Sequence, residues 1–425
     1  MSASTIIEDV RARKVFDSRG SEAIEVEVFT AGGYGRAIAP MGASRGRGEA
    51  IPYPPGGVDE AVELVGKLLA PELVGLDAAD QRLVDQVIHE ADGTADFRRI
   101  GGNTAYATSM AVAAAAASSL GLSLFRHLGG AMACELPYPL GNVIGGGKHV
   151  RGRGPDIQEM LVLPLGAETA LEALQANFLV HKRAGELLLK ADPSFTGGRG
   201  DEGAWAPRLK TEEALEVLYK ACEDVSGELG FEIRPGLDVA ASTLWREDEK
   251  AYVYEREGIK RDGGEQVEFI LSLIERYGLV YVEDPLAEED FEGFSELTRK
   301  AERLGCLICG DDLIVTNKER VARAAELGAC SAIIIKPNQV GTLTDAAEAI
   351  RLAKAHGMVP VASHRSGEST DPHLAHLAVG FGCPIIKTGV LGGERVAKLN
   401  ELLRIADELG EVGRMARLPP LGRKR

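Results

Sequence analysis

Five apolar runs in the second half of this 425-residue chain each end on an ionisable residue: LVYVE at Glu283, CLICGD at Asp311, AIIIK at Lys336, VPVASHR at Arg365 and PIIK at Lys387. The runs are short and lack period-two alternation, which marks strands buried on both faces, and the stretches between them carry helical spacing. Strand–helix units repeated in this way close into a parallel barrel. The loops that follow barrel strands share one opening, and only there can side chains from several strands converge on a solvent-reachable point. The pattern therefore predicts a TIM-like barrel with carboxylates and lysines gathered at its mouth, the arrangement of an active site.

The barrel pattern begins irregularly. LGNVIGGG and IQEMLVLP follow one another without an intervening helix, so these two strands should run antiparallel. Helical spacing then covers about 169–189 and 211–228, ahead of the strand that leads to Asp238. The expected fold is α/β with the order ββαα(βα)6 over residues 135–425, preceded by a small α+β capping domain over residues 1–134. In that first domain EAIEVEVFT alternates Ile24, Val26 and Val28 against Glu25 and Glu27, the pattern of a half-solvated antiparallel strand, and Gly32 and Gly33 turn it back into YGRAIAP. The alanine-rich stretch 105–120 reads as a tightly packed helix with Asn103 as its N-cap and Gly121 as its stop.

Composition excludes several partners. A formal net charge of -16 disfavours nucleic acid and anionic membrane surfaces. No run reaches the roughly 18 apolar residues of a spanning helix, and the six scattered cysteines read as reduced cytoplasmic thiols. Cys306 and Cys309 form a CxxC inside a predicted strand, where residues three apart point to opposite faces at about 10 Å, too far to share a metal or a disulfide. GGGKH at 145–149 is no phosphate loop, because Asn142 stands where its first glycine belongs and His149 where Ser or Thr would sit.

Ten short motifs occur in one order: DSRG (17–20), GAS (42–44), QE (158–159), GDEG (200–203), GLD ending at Asp238, VEDP (282–285), GDDL (310–313), KPNQ (336–339), SHRSGE (363–368) and IKTG (386–389). With them the chain resembles the enolase family over nearly its whole length. The resemblance implies a Mg²⁺-dependent hydro-lyase that interconverts 2-phosphoglycerate and phosphoenolpyruvate. It implies Lys336 as the base and Glu202 as the group that protonates the departing hydroxyl, with Glu159, Lys387 and His149 beside them. It also implies Asp238, Glu283 and Asp311 as ligands of a first Mg²⁺, and Ser44 on a mobile loop as ligand of a second that arrives with substrate. Arg365, Ser366 and His364 would hold the phosphate end, with Glu159, Lys387 and Ser44 also facing substrate. A homodimer or higher homo-oligomer and a cytoplasmic location follow from the same resemblance.

The chemistry is coherent on its own terms. Taking a proton from the carbon beside a carboxylate builds a second negative charge on that group, so the site must concentrate cations. Carboxylate ligands suit Mg²⁺ better than zinc or copper. A lysine base must be neutral, and Lys387 together with a metal ion is expected to lower the pKa of Lys336. Lysine bases with Mg²⁺ are the general pattern of the enolase superfamily.

The resemblance weakens at two loops, where Arg45, Arg47, Lys148, Arg151 and Arg153 add positive charge that the family pattern lacks. Long basic side chains reach water readily, and at a distance their charge would steer an anionic substrate. Two other functions stay open at this point: a diverged dehydratase acting on another phosphorylated hydroxy acid, and a non-catalytic scaffold.

Overall fold

The computed structural model describes residues 3–43, 45–150 and 154–422. The N-terminal part is an antiparallel sheet of β1 (Ile7–Phe16), β2 (Glu22–Thr30) and β3 (Tyr34–Ile38), which packs on helix α1 (Gly102–Ser119). The expected alternation of β2 is altered in one respect. Glu25 and Glu27 are buried, because Arg13 of β1 lies over them and pairs with both.

Helix α1 also departs from expectation at its start. Gly101, at φ 94°, takes the capping position, and Asn103 lies inside the helix. The Asn103 side chain instead accepts a 2.9 Å hydrogen bond from Asn338, tying this helix to the loop after a barrel strand. Gly121 follows the helix end at φ 65°, as a stop should.

The second part is a closed barrel of β4 (Tyr138–Gly145), β5 (Glu159–Leu163), β6 (Arg234–Asp238), β7 (Tyr281–Glu283), β8 (Leu307–Gly310), β9 (Ala332–Ile335), β10 (Val359–Ser363) and β11 (Ile385–Gly389). Strand β5 runs antiparallel to both its neighbours, and the other pairings are parallel. Helices α2 (Ala170–Ala191) and α3 (Thr211–Leu229) follow β5. After β6 comes a small sheet of Trp245–Arg246, Ala251–Tyr254 and Ile259–Arg261, then α4 (Gly263–Tyr277). From there each strand is followed by one helix: α5 (Phe291–Glu302), α6 (Lys318–Leu327), α7 (Leu343–Ala355), α8 (His373–Gly380) and α9 (Gly393–Leu409). The order is ββαα(βα)6.

Helix starts are written into the sequence: Thr169 and Asp262 form capping boxes with Glu172 and Glu265. The barrel interior is filled by Leu140, Leu161, Leu163, Tyr281, Cys309 and Ile334 among others, while Cys306 packs outside, between strands and helices. The two cysteines therefore do point to opposite faces. No helix among the described residues is long and apolar enough to cross a membrane.

The sheet-to-helix contact in the N-terminal part depends on one glycine. A Cβ on Gly35 would lie 2.1 Å from the Ala111 carbonyl oxygen and 2.3 Å from the Ala115 nitrogen. Gly35→Ala must separate β3 from α1, a backbone shift that costs about 1–3 kcal/mol. The expected outcome is a lower melting temperature in calorimetry, with little change at the barrel mouth.

Candidate active site

Strand ends carry most of the site. Asp238 closes β6 and Glu283 closes β7, Asp311 and Lys336 come immediately after β8 and β9, and Lys387 is the third residue of β11. Because β5 is reversed, its first residue, Glu159, is the one brought to the mouth, opposite Asp238. His149 follows β4, and His364, Arg365 and Ser366 follow β10. Glu202 sits between α2 and α3 at φ 65°, a left-handed conformation unusual for a non-glycine residue. These residues line one pocket, Glu283 excepted, which lies fully buried beneath it.

Lys387 organises the floor. Its Nζ is 2.8 Å from Asp238 Oδ2, 2.8 Å from Glu283 Oε1 and 3.3 Å from Glu159 Oε2. Burial opposes its charge, but Asp238, Glu159 and Glu283 hold it well above the usual lysine range. Glu283, buried and facing Asp238, is pushed up to about 8, and Tyr281 donates a 2.7 Å hydrogen bond to it.

Lys336 pairs with Asp311. Burial is the largest influence and would lower its pKa, as would Arg365 and Lys387, but the Asp311 and Glu283 charges oppose them and the net direction is upward. Lys387 lowers the pKa of Lys336, as expected from the sequence, but in the protein alone the carboxylate at the end of the preceding strand is its direct partner and works against that.

A second cluster joins two carboxyls to two imidazoles. Burial and the neighbouring Glu202 charge hold Glu159 well above the usual range. Burial also opposes ionisation of Glu202, but the facing His364 and His149 rings take it well below that range. The proton of this pair thus belongs to Glu159. Glu202 Oε2 accepts from Asn142 at 2.9 Å, and Oε1 lies 3.3 Å from His364 Nε2 and 4.0 Å from His149 Nε2. Burial pushes His364 down to about 4. His149 Nδ1, 3.5 Å from Glu159 Oε1, makes no hydrogen bond among the described residues.

Arg365 is buried and points one arm at Asn338 Oδ1 (3.0 Å) and the other at Glu49 Oε2 (3.2 Å). Glu49 was not singled out in the sequence, although it ends the glycine-rich loop of Ser44. Asp284 and Asp312 also line the pocket, each the second acid of its motif, VEDP or GDDL, and neither carries a sequence-based expectation. Asp284 accepts the backbone N–H groups of Asp311 and Asp312.

Ser44, Arg151 and Arg153 lie outside the described residues. Arg45 donates to the Glu49 carbonyl at 2.9 Å, and Arg47 pairs with Glu288 at 3.5 Å. Both are exposed, as is Lys148, and none of the three lines the pocket.

The donor set fits a hard divalent cation. The lining holds seven carboxylates (Glu49, Glu159, Glu202, Asp238, Asp284, Asp311 and Asp312) against three permanent cations, Lys336, Arg365 and Lys387. An acidic ligand could not enter so negative a site without added positive charge, and oxygen ligands suit Mg²⁺. Side-chain oxygens of Asp284, Asp311 and Asp312 lie within 4.8 Å of one another, as do ligand atoms of His149, Glu159 and Glu202. Asp238 and Glu283 share the same floor but are held by Lys387.

Family comparison gives two matches that together cover most of the chain: an enolase N-terminal domain over residues 7–128 and an enolase C-terminal TIM barrel domain over residues 133–418. The chain is 54% identical to an enolase of Methanothermobacter thermautotrophicus, over 98% of this chain and 99% of the relative. It is 55% identical to an enolase of Methanosphaera stadtmanae, over 95% and 98%. For an enolase of Pyrobaculum aerophilum the identity is 52%, over 95% and 97%.

Removing the central ammonium isolates three buried carboxyls. Lys387→Met should destabilise the protein by on the order of 3–5 kcal/mol, the usual cost of breaking a buried ion pair from one side. Thermal unfolding at neutral pH would show this as a lowered midpoint. The deficit should deepen toward alkaline pH, because Glu283, already held up to about 8, loses its proton there with no ammonium to meet the charge.

Proposed function

The chain belongs to the enolase family, hydro-lyases that interconvert 2-phosphoglycerate and phosphoenolpyruvate, and we propose that its site residues divide that reaction between two clusters. One observation carries the reading. A single pocket holds a lysine–aspartate pair, Lys336 with Asp311, and apart from it a carboxyl pair, Glu159 with Glu202, that keeps one proton.

Lys336 takes the proton from C2. It does so as the neutral amine, which burial, Arg365 and Lys387 favour and the Asp311 pair opposes. Release of Lys336 from Asp311 is thus the condition for its action as a base. Asp238, Glu283 and Asp311 would hold one Mg²⁺, and Ser44 would help to hold a second that arrives with substrate; bound there, the ions would supply charge to offset the second negative charge on the substrate carboxylate.

Glu202 takes over the proton that Glu159 holds and passes it to the departing hydroxyl, so that Glu159 is left as the carboxylate. Donors on both its oxygens stabilise its conjugate base, which makes its protonated form a stronger acid. Glu159 beside it holds the proton of the pair, and His149 closes that end. Arg365, Ser366 and His364 receive the phosphate, for which the planar guanidinium fork is suited. Glu49 occupies one Arg365 arm, so an entering phosphate competes with it.

The outward course of Arg45 and Arg47 supports the family's own substrate over another phosphorylated acid. Retention of the whole buried charge cluster supports catalysis over scaffolding, since a scaffold has no need of so costly a group of charges. A cytoplasmic homodimer or higher oligomer belongs to the same reading.

Growth of ultraviolet absorbance on adding 2-phosphoglycerate with Mg²⁺ tests the reaction itself. Lys336→Ala should abolish deuterium exchange at C2, whereas Glu202→Gln should block elimination and keep part of that exchange. Equal loss of exchange in both variants would refute the division of roles.

The metal assignment has its own readout. Asp311→Asn, Asp238→Asn and Glu283→Gln should each weaken Mg²⁺ binding in titration calorimetry, because an amide lacks the carboxylate's charge. Wild-type affinity in all three would remove this ligand set.

A further inference from the structure

Arg395, the third residue of α9, has no role in the reading above, yet it is wholly buried beside the site. Its Nη1 lies 2.7 Å from His364 Nδ1 and 2.7 Å from the Arg365 carbonyl oxygen, and its Nη2 donates to the Ser366 carbonyl at 2.7 Å. The backbone N–H of Gly389 points at the same His364 nitrogen from 3.4 Å.

A guanidinium has only N–H donors, no free lone pair, and stays protonated. Two donors converge on His364 Nδ1, so that nitrogen must present its lone pair. Burial keeps the ring neutral, and a neutral imidazole carries a single N–H. We infer that Arg395 is a positioning residue that fixes His364 as the Nε2–H tautomer, so that His364 offers Glu202 Oε1 a proton donor and not a lone pair.

The consequence lies in the acid strength of Glu202. With His364 Nε2–H on Oε1 and the Asn142 amide on Oε2, both oxygens face donors, and the carboxylate form is favoured. The opposite tautomer would aim a lone pair at Oε1 and retain the very proton that must be given to the leaving hydroxyl. Arg395 therefore acts on the elimination step through His364, and separately holds the backbone of the phosphate-binding turn through its two carbonyl contacts.

The wild-type protein with ¹⁵N-labelled histidine gives the direct test, the His364 signals being identified by their absence from His364→Asn. At neutral pH, Nδ1 should show the shift of a bare ring nitrogen and Nε2 that of a proton-bearing one. A proton on Nδ1 overturns the inference. In Arg395→Met the Nε2–H form should lose its dominance, and kcat should fall by about tenfold or more with a smaller change in KM. Added guanidinium ion should restore both the tautomer and part of kcat. Retention of the wild-type tautomer in Arg395→Met would overturn the role given to Arg395. If that variant does not fold, Arg395→Lys replaces it: one ammonium can serve Nδ1 but not both carbonyls, so the tautomer should survive while KM rises, and its loss would overturn the proposal. The importance of the tautomer for elimination rests on the proposed function. Nε2–H in a wild-type protein that does not turn over 2-phosphoglycerate would sink that function and leave the tautomer assignment standing.

Discussion

One buried ammonium holds the barrel mouth together. Lys387 draws the ends of β6 and β7 and the start of β5 to a single point through Asp238, Glu283 and Glu159. Taking each of these groups from water costs several kcal/mol, which direct pairing recovers only in part. One cation cannot balance three anions, and the shortfall appears as protonation. Glu283 rises to about 8 and Glu159 goes well above the carboxylate range. The floor therefore carries less negative charge than its formal count, and gains it when a cation arrives.

That arrangement depends on the antiparallel start of the barrel. A parallel second strand would send Glu159 to the closed end, opposite the pocket, whereas the reversed β5 delivers it beside Asp238. Glu202 is then set against it by glycines that permit close contact. A Cβ at Gly389 would lie 2.0 Å from the Glu202 carbonyl oxygen, and one at Gly203 would lie 2.2 Å from that of Leu391. The left-handed turn at Glu202 is thus maintained by its surroundings, as strained functional residues commonly are.

Much of this was legible in the sequence because strand ends are local. Apolar runs that stop at Glu283, Asp311, Lys336 and Lys387 announce both the strand and the charge at its end, and the missing helix after LGNVIGGG announces the reversed strand. The neighbours Asp284 and Asp312 were visible too, but a second acid in a motif reads as a loop residue until its hydrogen bonds are known. Arg395 and Glu49 carried no signal. Each reaches the site from a distant segment, and an arginine in a helix or a glutamate in a loop is ordinarily solvated. The influence of like-charged Lys387 on Lys336 is evident from the sequence pattern, but the opposing contact with Asp311 is a matter of geometry. Asn103 looked like a cap because its partner, Asn338, lies 235 positions away.

The turn after β10 shows why the barrel and the N-terminal part work as one unit. The segment 363–371 is held from the barrel side by Arg395 and by Lys398, which donates to the Ser369 and Asp371 carbonyls. From the other side, the Ser18 amide donates to the Glu368 carbonyl, the Ile38 amide to Asp371, and Met41 and Gly367 exchange backbone hydrogen bonds. Glu49 completes the set at Arg365. Polar groups this deeply buried are costly unless paired, and here half of the pairing comes from the N-terminal segment. The barrel strands bring the candidate site groups together, but the turn that would hold the phosphate takes its shape only between both parts. A change in β3 can therefore reach this turn through the Ile38 amide and the Asp371 carboxylate that accepts from it.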